Sequence, residues 1–172
     1  MKVITGLVAA AAALSLGMAA AKAEMPVVPP YEAPPEGQYE NSFAAGTKVL
    51  TDSGLRNIED IRDGDVVVSF DIDTQRVVNQ RVRGVNSRVE NVIYEMGIGG
   101  QTIRVTRDHP FLTTNGWKRV VETSVGSTVV AHGGGQHTIE TCFMRRGSFT
   151  VYNFTVEITG TYYVSDLRLL AH

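Results

Sequence analysis

Few side chains in this sequence are suited to nucleophilic or acid–base work. There are four histidines, His109, His132, His137 and His172, and one cysteine, Cys142. A single cysteine excludes an intrachain disulfide framework. Cys142 lies in an alternating run, Thr138 to Phe143, and reads as a small buried hydrophobe rather than a nucleophile. His132 and His137 flank Gly133-Gly134-Gly135-Gln136 and lack a third ligand nearby, so no metal or other cofactor is expected. His109 sits in Thr106-Arg107-Asp108-His109-Pro110, a pattern that fits a strand end turning into a loop, with Pro110 fixing the exit. A serine–histidine hydrolase acting on outside substrates would need a Gly-x-Ser-x-Gly elbow, and none is present. It would also need an orienting acid, and Asp108, adjacent to His109 in sequence, is poorly placed for that. That reading ranks last. Asn153-Phe154-Thr155 matches a glycosylation sequon but falls in a predicted core strand, so it is discounted.

The elements that must position these residues are short β-branched runs separated by turns. Thr47 to Thr51, Val66 to Phe70, Gln101 to Thr106, Thr138 to Phe143, Phe149 to Val156 and Thr161 to Val164 read as strands. Asp52-Ser53-Gly54, Gly99-Gly100, Asn115-Gly116 and Gly133-Gly134-Gly135 mark turns. No long helical period occurs after residue 41; Asn57 to Arg62 is expected to form one helical turn capped by Asn57. The fold class is therefore all-β.

Composition divides the 172 residues unevenly. A hydrophobic content of 43% with 20% charged residues excludes a disordered or fibrous chain. Five of the six prolines precede residue 36. Residues 1–23 read as a signal peptide: Lys2, an Ala-rich apolar stretch from Val3 to Ala21, and the small residues of Ala21-Lys22-Ala23 at a cleavage site. The expected location is periplasmic or secreted, with no stable membrane anchor once that segment is removed. Residues 24–41, Pro-, Glu- and Gly-containing and without periodicity, read as an extended, disordered linker. Without Lys2 and Lys22 the chain has 14 basic against 18 acidic residues and no basic block, which argues against nucleic acid or an anionic membrane as partner.

Residues 42–172 form the folded domain, and they contain an internal repeat at an offset of 62 residues. Leu50-Thr51-Asp52-Ser53-Gly54-Leu55-Arg56 aligns with Leu112-Thr113-Thr114-Asn115-Gly116-Trp117-Lys118. Without a gap, Ile58 then meets Val120, Gly64 meets Gly126, and Val66-Val67 meets Thr128-Val129. Two units of this size, side by side, would bury one core with pseudo-twofold symmetry.

The ordered landmarks resemble a known superfamily. They are Ser42-Phe43-Ala44-Ala45-Gly46-Thr47, the run Ile58-Glu59-Asp60-Ile61-Arg62-Asp63-Gly64-Asp65, Thr106-x-x-His109-Pro110, Gly116-Trp117, Val151 to Glu157, and Thr161-Tyr162-Tyr163-Val164 before Leu170-Ala171-His172. This resembles the Hint superfamily of inteins, Hedgehog autoprocessing domains and bacterial intein-like domains, and is most similar to the bacterial intein-like and Hint-module types. The resemblance covers nearly all of 42–172. It implies a compact, pseudo-twofold all-β horseshoe and self-processing at the bond preceding the domain, Asn41–Ser42.

By that resemblance Ser42 is the nucleophile, attacking the Asn41 carbonyl in an N-to-O acyl shift. His109 would polarise the amide and deliver a proton to the leaving nitrogen, and Thr106 would hold the amide distorted. Asn153 lies near a position where inteins often carry a catalytic aspartate, and could orient a group without acting as a base. His172 corresponds to the histidine that relatives follow with asparagine. The substrate would be the chain's own N-terminal segment in cis; no protein partner can be named. Several departures matter. Serine replaces the usual cysteine and is a weaker nucleophile. Gly160 stands where relatives often have histidine, and Ser127 where the pairing with Asp65 predicts an acid. No asparagine follows His172, so complete splicing is not expected. Two functions from different classes follow: an exported autoprocessing domain limited to N-terminal cleavage, or a catalytically degenerate module for interaction or display.

Overall fold

The computed structural model describes residues 23–32 and 41–172. The expected signal segment up to Lys22, and residues 33–40 of the expected linker, lie outside the described residues. In chain order the strands are β1 (Phe43–Ala44), β2 (Lys48–Thr51), β3 (Gly54–Asn57), β4 (Val66–Asp71), β5 (Arg76–Ile98), β6 (Gln101–Val105), β7 (Pro110–Thr113), β8 (Gly116–Arg119), β9 (Thr128–Val130), β10 (Gln136–Val156), β11 (Tyr162–Val164) and β12 (Leu169–Ala171). All pairings among them are antiparallel, and three short 3-10 turns are the only helical elements among the described residues. The fold is all-β, as the resemblance implies.

The repeat is visible bond by bond. β2, β3 and the 3-10 turn Ile58–Asp60 recur 62 residues later as β7, β8 and the turn Val120–Glu122. In the first hairpin Thr51 Oγ1 donates to Gly54 O at 2.6 Å; in the second Thr113 Oγ1 donates to Gly116 O at 2.7 Å. Gly54 and Gly116 both have positive φ, 109° and 85°, a backbone that favours glycine at these tight corners. Thr51 pairs with Val67, and Thr113 with Val129. Further along, Val82 N donates to Asp65 O, and Ile139 N to Ser127 O, both at 2.8 Å. The substitution of Ser127 for the expected acid has a local explanation. Asp65 Oδ2 accepts the Arg62 N–H at 2.8 Å, and Ser127 Oγ accepts the equivalent Ser124 N–H at 3.1 Å. Either oxygen closes the turn.

The short strands lack simple alternation because both of their faces are buried. Val49, Phe111, Val129, Tyr162 and Leu169 enter the main core. Their sequence neighbours Leu50, Leu112, Val130, Tyr163 and Leu170 enter a second cluster on the opposite face. Asn57 departs from expectation. It sits at the N-cap of the 3-10 turn but makes no capping bond, because its Oδ1 accepts from Lys48 Nζ, its cross-strand partner, at 2.6 Å.

β5 and β10 form one long ribbon, from the Ile139–Ile98 pair to the Val156–Val82 pair, interrupted by register shifts. One shift lies between Ile139 and Thr141. It turns the expected alternation over: Ile139 is buried, Thr141 and Phe143 are exposed, and Cys142 packs half-buried against the main core.

Over 24–32 the expected linker is not free of the domain. Val28 is buried in the second cluster beside Leu50, Phe70 and Leu112. Its N–H donates to Gln75 Oε1 at 2.8 Å and its carbonyl accepts from Gln75 Nε2 at 2.9 Å. Composition alone predicted disorder here because Pro and Glu dominate; one valine and one clamping side chain override it. Burying such a side chain contributes about 1.5–3 kcal/mol, against which the entropy of ordering the arm must be set.

Candidate functional site

Ser42 immediately precedes β1, and β1 is wedged between β10 and β6: Phe43 pairs with Tyr152 on one side and Val105 on the other. This central position buries Ser42 completely. Thr106, at the end of β6, grips it through both main-chain groups. Ser42 N donates to Thr106 Oγ1 at 2.9 Å; Ser42 O accepts from Thr106 N at 2.9 Å and from Thr106 Oγ1 at 3.2 Å. The nitrogen of the Asn41–Ser42 bond is thus fixed by the threonine that the sequence singled out.

The Ser42 hydroxyl has two partners. It donates to Asn41 O at 2.6 Å and accepts from Arg88 Nη1 at 2.9 Å. The hydroxyl oxygen therefore lies against the carbonyl group it would attack, with a cation on it. Arg88 reaches this point because β5 runs beside β10: Arg88 pairs with Val151, and Val151 pairs with Ala44 of β1. Glu90 forms a salt bridge with the Arg88 guanidinium. Arg88 Nη2 and Asn41 Oδ1 are both buried with no hydrogen-bond partner among the described residues. Sequence reasoning missed Arg88. It lies 46 positions from Ser42 in a polar strand, and no local motif marks it.

His109 occupies the turn after Thr106 and is fully buried. Its ring packs on Phe43, centroids 4.2 Å apart, which places it beside the residue that follows the nucleophile candidate. Nε2 lies 3.2 Å from the Tyr162 hydroxyl, and Nδ1 has no partner among the described residues. Burial, followed by the nearby His172, pushes the His109 pKa down to about 3, so the imidazole is neutral at pH 7. The same burial raises the Tyr162 hydroxyl far above its ordinary value, so it stays protonated beside His109 Nε2. Tyr162, part of the Thr161–Val164 landmark run, is thus a partner of the histidine. Replacing Tyr162 with Phe leaves Nε2 buried without a partner. It is expected to cost about 1–3 kcal/mol, read as a lower urea midpoint at unchanged m-value.

The other candidates lie further out. Asn153 is half-buried on β10 opposite Asn86 of β5, and no hydrogen bond among the described residues joins it to Ser42, Thr106 or His109. His172 has a pKa lowered to about 4 by burial and stacks with Tyr31, centroids 4.5 Å apart. The absence of a histidine at position 160 has a steric reason. A Cβ on Gly160 would come within 2.8 Å of His172 Nε2, and the φ of +68° there disfavours a side chain in any case. Asp108 is turned toward Arg119 at 3.3 Å and is not an orienting acid for His109. No group of three or more His, Cys, Asp or Glu positioned to hold a metal occurs among the described residues.

The duplicated all-β frame that holds these residues is matched by known proteins. The family model described as the pretoxin HINT domain matches residues 48–169. The chain belongs to this family. A bacterial intein-like domain from Clostridium thermocellum has the same fold as this Hint domain, with a TM-score of 0.73 and 31% identity, covering 79% of this chain and 99% of that one. The Ssp DnaB mini-intein variant M86 shares the fold at 17% identity and a TM-score of 0.69, over 80% of this chain and 96% of its own. A DnaB intein from Synechocystis shares it at 19% identity and a TM-score of 0.66, over 77% and 97%. No curated protein matches the Hint domain in sequence.

Proposed function

We propose that this Hint domain cuts its own chain once, at Asn41–Ser42. The observation that carries this reading is the Ser42 hydroxyl, 2.6 Å from the Asn41 carbonyl oxygen with the Arg88 guanidinium 2.9 Å behind it. Attack forms the Oγ–C bond to Asn41 and breaks the C–N bond. The hydroxyl proton ends on the freed Ser42 amine. Water then splits the ester: its oxygen bonds to the Asn41 carbonyl carbon as the C–Oγ bond breaks, one of its protons goes to Oγ, and the other passes to the Ser42 amine, leaving a carboxylate at Asn41. Arg88 stabilises negative charge on Oγ as its proton leaves. Thr106 holds the amide nitrogen in place, and His109, beside Phe43, is the proton carrier for that nitrogen. Neutral imidazole is a weak acid, so the protonated minority of His109 is the effective donor. That minority grows about tenfold per pH unit as the pH falls toward the pKa of about 3.

The test is intact mass under denaturing conditions, with and without hydroxylamine, which traps an ester. Wild type is expected to yield a fragment beginning at Ser42, faster at pH 6 than at pH 8. Ser42→Ala and His109→Ala are expected to yield none, and Ser42→Cys to cleave faster. An uncut wild-type chain after prolonged treatment at both pH values would overturn the proposal. It would leave the second reading, a degenerate module for interaction or display. Two features support that alternative: His109 is neutral at pH 7, and Gly160 replaces a side chain that relatives often carry.

We further propose that the chain is exported and trimmed after Ala23. The Ala-rich segment and the small residues Ala21 and Ala23 support this. N-terminal sequencing of the protein from the periplasmic or culture fraction tests it, and a chain retaining Met1 there would overturn it.

A further inference from the structure

The upstream arm, residues 24–32, does more than lead to the cleavage point. Val28 is only 1% exposed, held among the side chains of the second cluster. The Gln75 amide clamps both main-chain groups of Val28, as a neighbouring strand would. One residue on, Pro29 O accepts from Trp117 Nε1 at 2.8 Å. Two further on, Tyr31 packs edge-on to Trp117, centroids 5.8 Å apart, and against His172. At the other end, a Cβ on Gly134 would lie 2.1 Å from Glu24 O, so the bare glycine backbone is part of the seat. Pro26, Pro29 and Pro30 carry no N–H, so they leave no donor unmet in this groove, and their rings favour the extended form.

We propose that this face of the domain is a binding site for extended, proline-containing peptides, and that its resident ligand is the chain's own arm. Recognition rests on an aliphatic residue at position 28, main-chain bonds at 28 and 29, and an aromatic ring at 31. The site does not depend on whether Asn41–Ser42 is cut. It lies on the cluster opposite the main core, and its contacts do not include Ser42 or Arg88.

Trp117 is the only tryptophan, so its emission reports the site directly. In the full wild-type chain the Val28 amide is expected to exchange slowly, and Trp117 emission to be that of a covered ring. Gln75→Ala, at an exposed position outside the core, removes both clamp bonds. It should speed Val28 exchange by at least about tenfold. Val28→Asp should undock the arm and shift Trp117 emission to longer wavelength. A synthetic peptide of residues 24–32, titrated into the folded Val28→Asp chain, is expected to restore the wild-type emission saturably. The same peptide carrying aspartate for Val28 should not. Wild-type Val28 exchanging at the rate of a free peptide would overturn the proposal. So would a 24–32 peptide that leaves the emission of the folded Val28→Asp chain unchanged.

Discussion

Arg88→Met is expected to slow hydroxylamine-dependent cleavage at Asn41–Ser42 about 100- to 1000-fold while the domain still folds. A preorganised donor aimed at developing negative charge is worth roughly this factor when removed. Arg88 donates to the Ser42 oxygen itself, from a site where Ser42 is wholly buried, so water cannot substitute readily. Methionine keeps much of the side-chain length and apolar contact. It also strips the Glu90 carboxylate of its salt-bridge partner, so some stability is lost through that residue. The double variant Arg88→Met/Glu90→Gln separates the two effects: it relieves the stranded carboxylate, and the rate loss should remain. Arg88→Lys, a point charge without the planar fork, should fall between wild type and Arg88→Met. Equal cleavage rates in wild type and Arg88→Met, measured by denaturing mass spectrometry, would remove Arg88 from the reaction.

The second large effect is on stability. His109 is held neutral by burial, with its pKa pushed down to about 3 from 6.5. Between these values the unfolded chain binds a proton that the folded chain does not. The stabilising contribution of the neutral, buried ring is therefore complete above pH 6.5 and is lost as the pH falls toward about 3. The loss is about 1.4 kcal/mol for each pH unit below 6.5. His172, lowered to about 4, acts in the same direction over its own window. Urea midpoints are expected to be flat from pH 8 to 7 and to fall steadily from pH 6 to 4. His109→Gln, which cannot titrate, should be less stable at pH 7 but have the shallower slope. A wild-type midpoint unchanged down to pH 4 would mean that the histidines are not held neutral. The acid that favours proton delivery by His109 therefore also weakens the fold that holds it, and cleavage should peak at intermediate pH.

The duplicated frame was legible because its signals are local. Threonine and glycine three apart, and glycines at fixed offsets, specify turns wherever they occur, and the 62-residue spacing survives into individual hydrogen bonds. The long ribbon was not legible as one element. Arg76 to Ile98 is broken by polar residues that face solvent, and the shift after Ile139 reverses which side faces in. Ser42, Thr106 and His109 emerged from an ordered series of motifs. Arg88 could not: an arginine on a charged strand looks like any solvated one until β10 brings β5 beside β1. The docked arm was hidden for a related reason. A proline-rich composition reads the same whether the segment lies free or lies in a groove shaped by residues spread from Leu50 to His172.

Gln75 closes the loop between β4 and β5 with a φ of +55°, a left-handed backbone that ordinary residues adopt at a cost of about 1–2 kcal/mol. Asp71 already fastens that corner, accepting from Asp73 N, Thr74 N and Thr74 Oγ1. Glycine would suit the position better on local grounds. Gln75→Gly would therefore relax the hairpin and release Val28 in the same stroke. A corner shaped only for durability would carry glycine; this one carries a residue of recognition, and it gives up local ease to keep its hold on the arm.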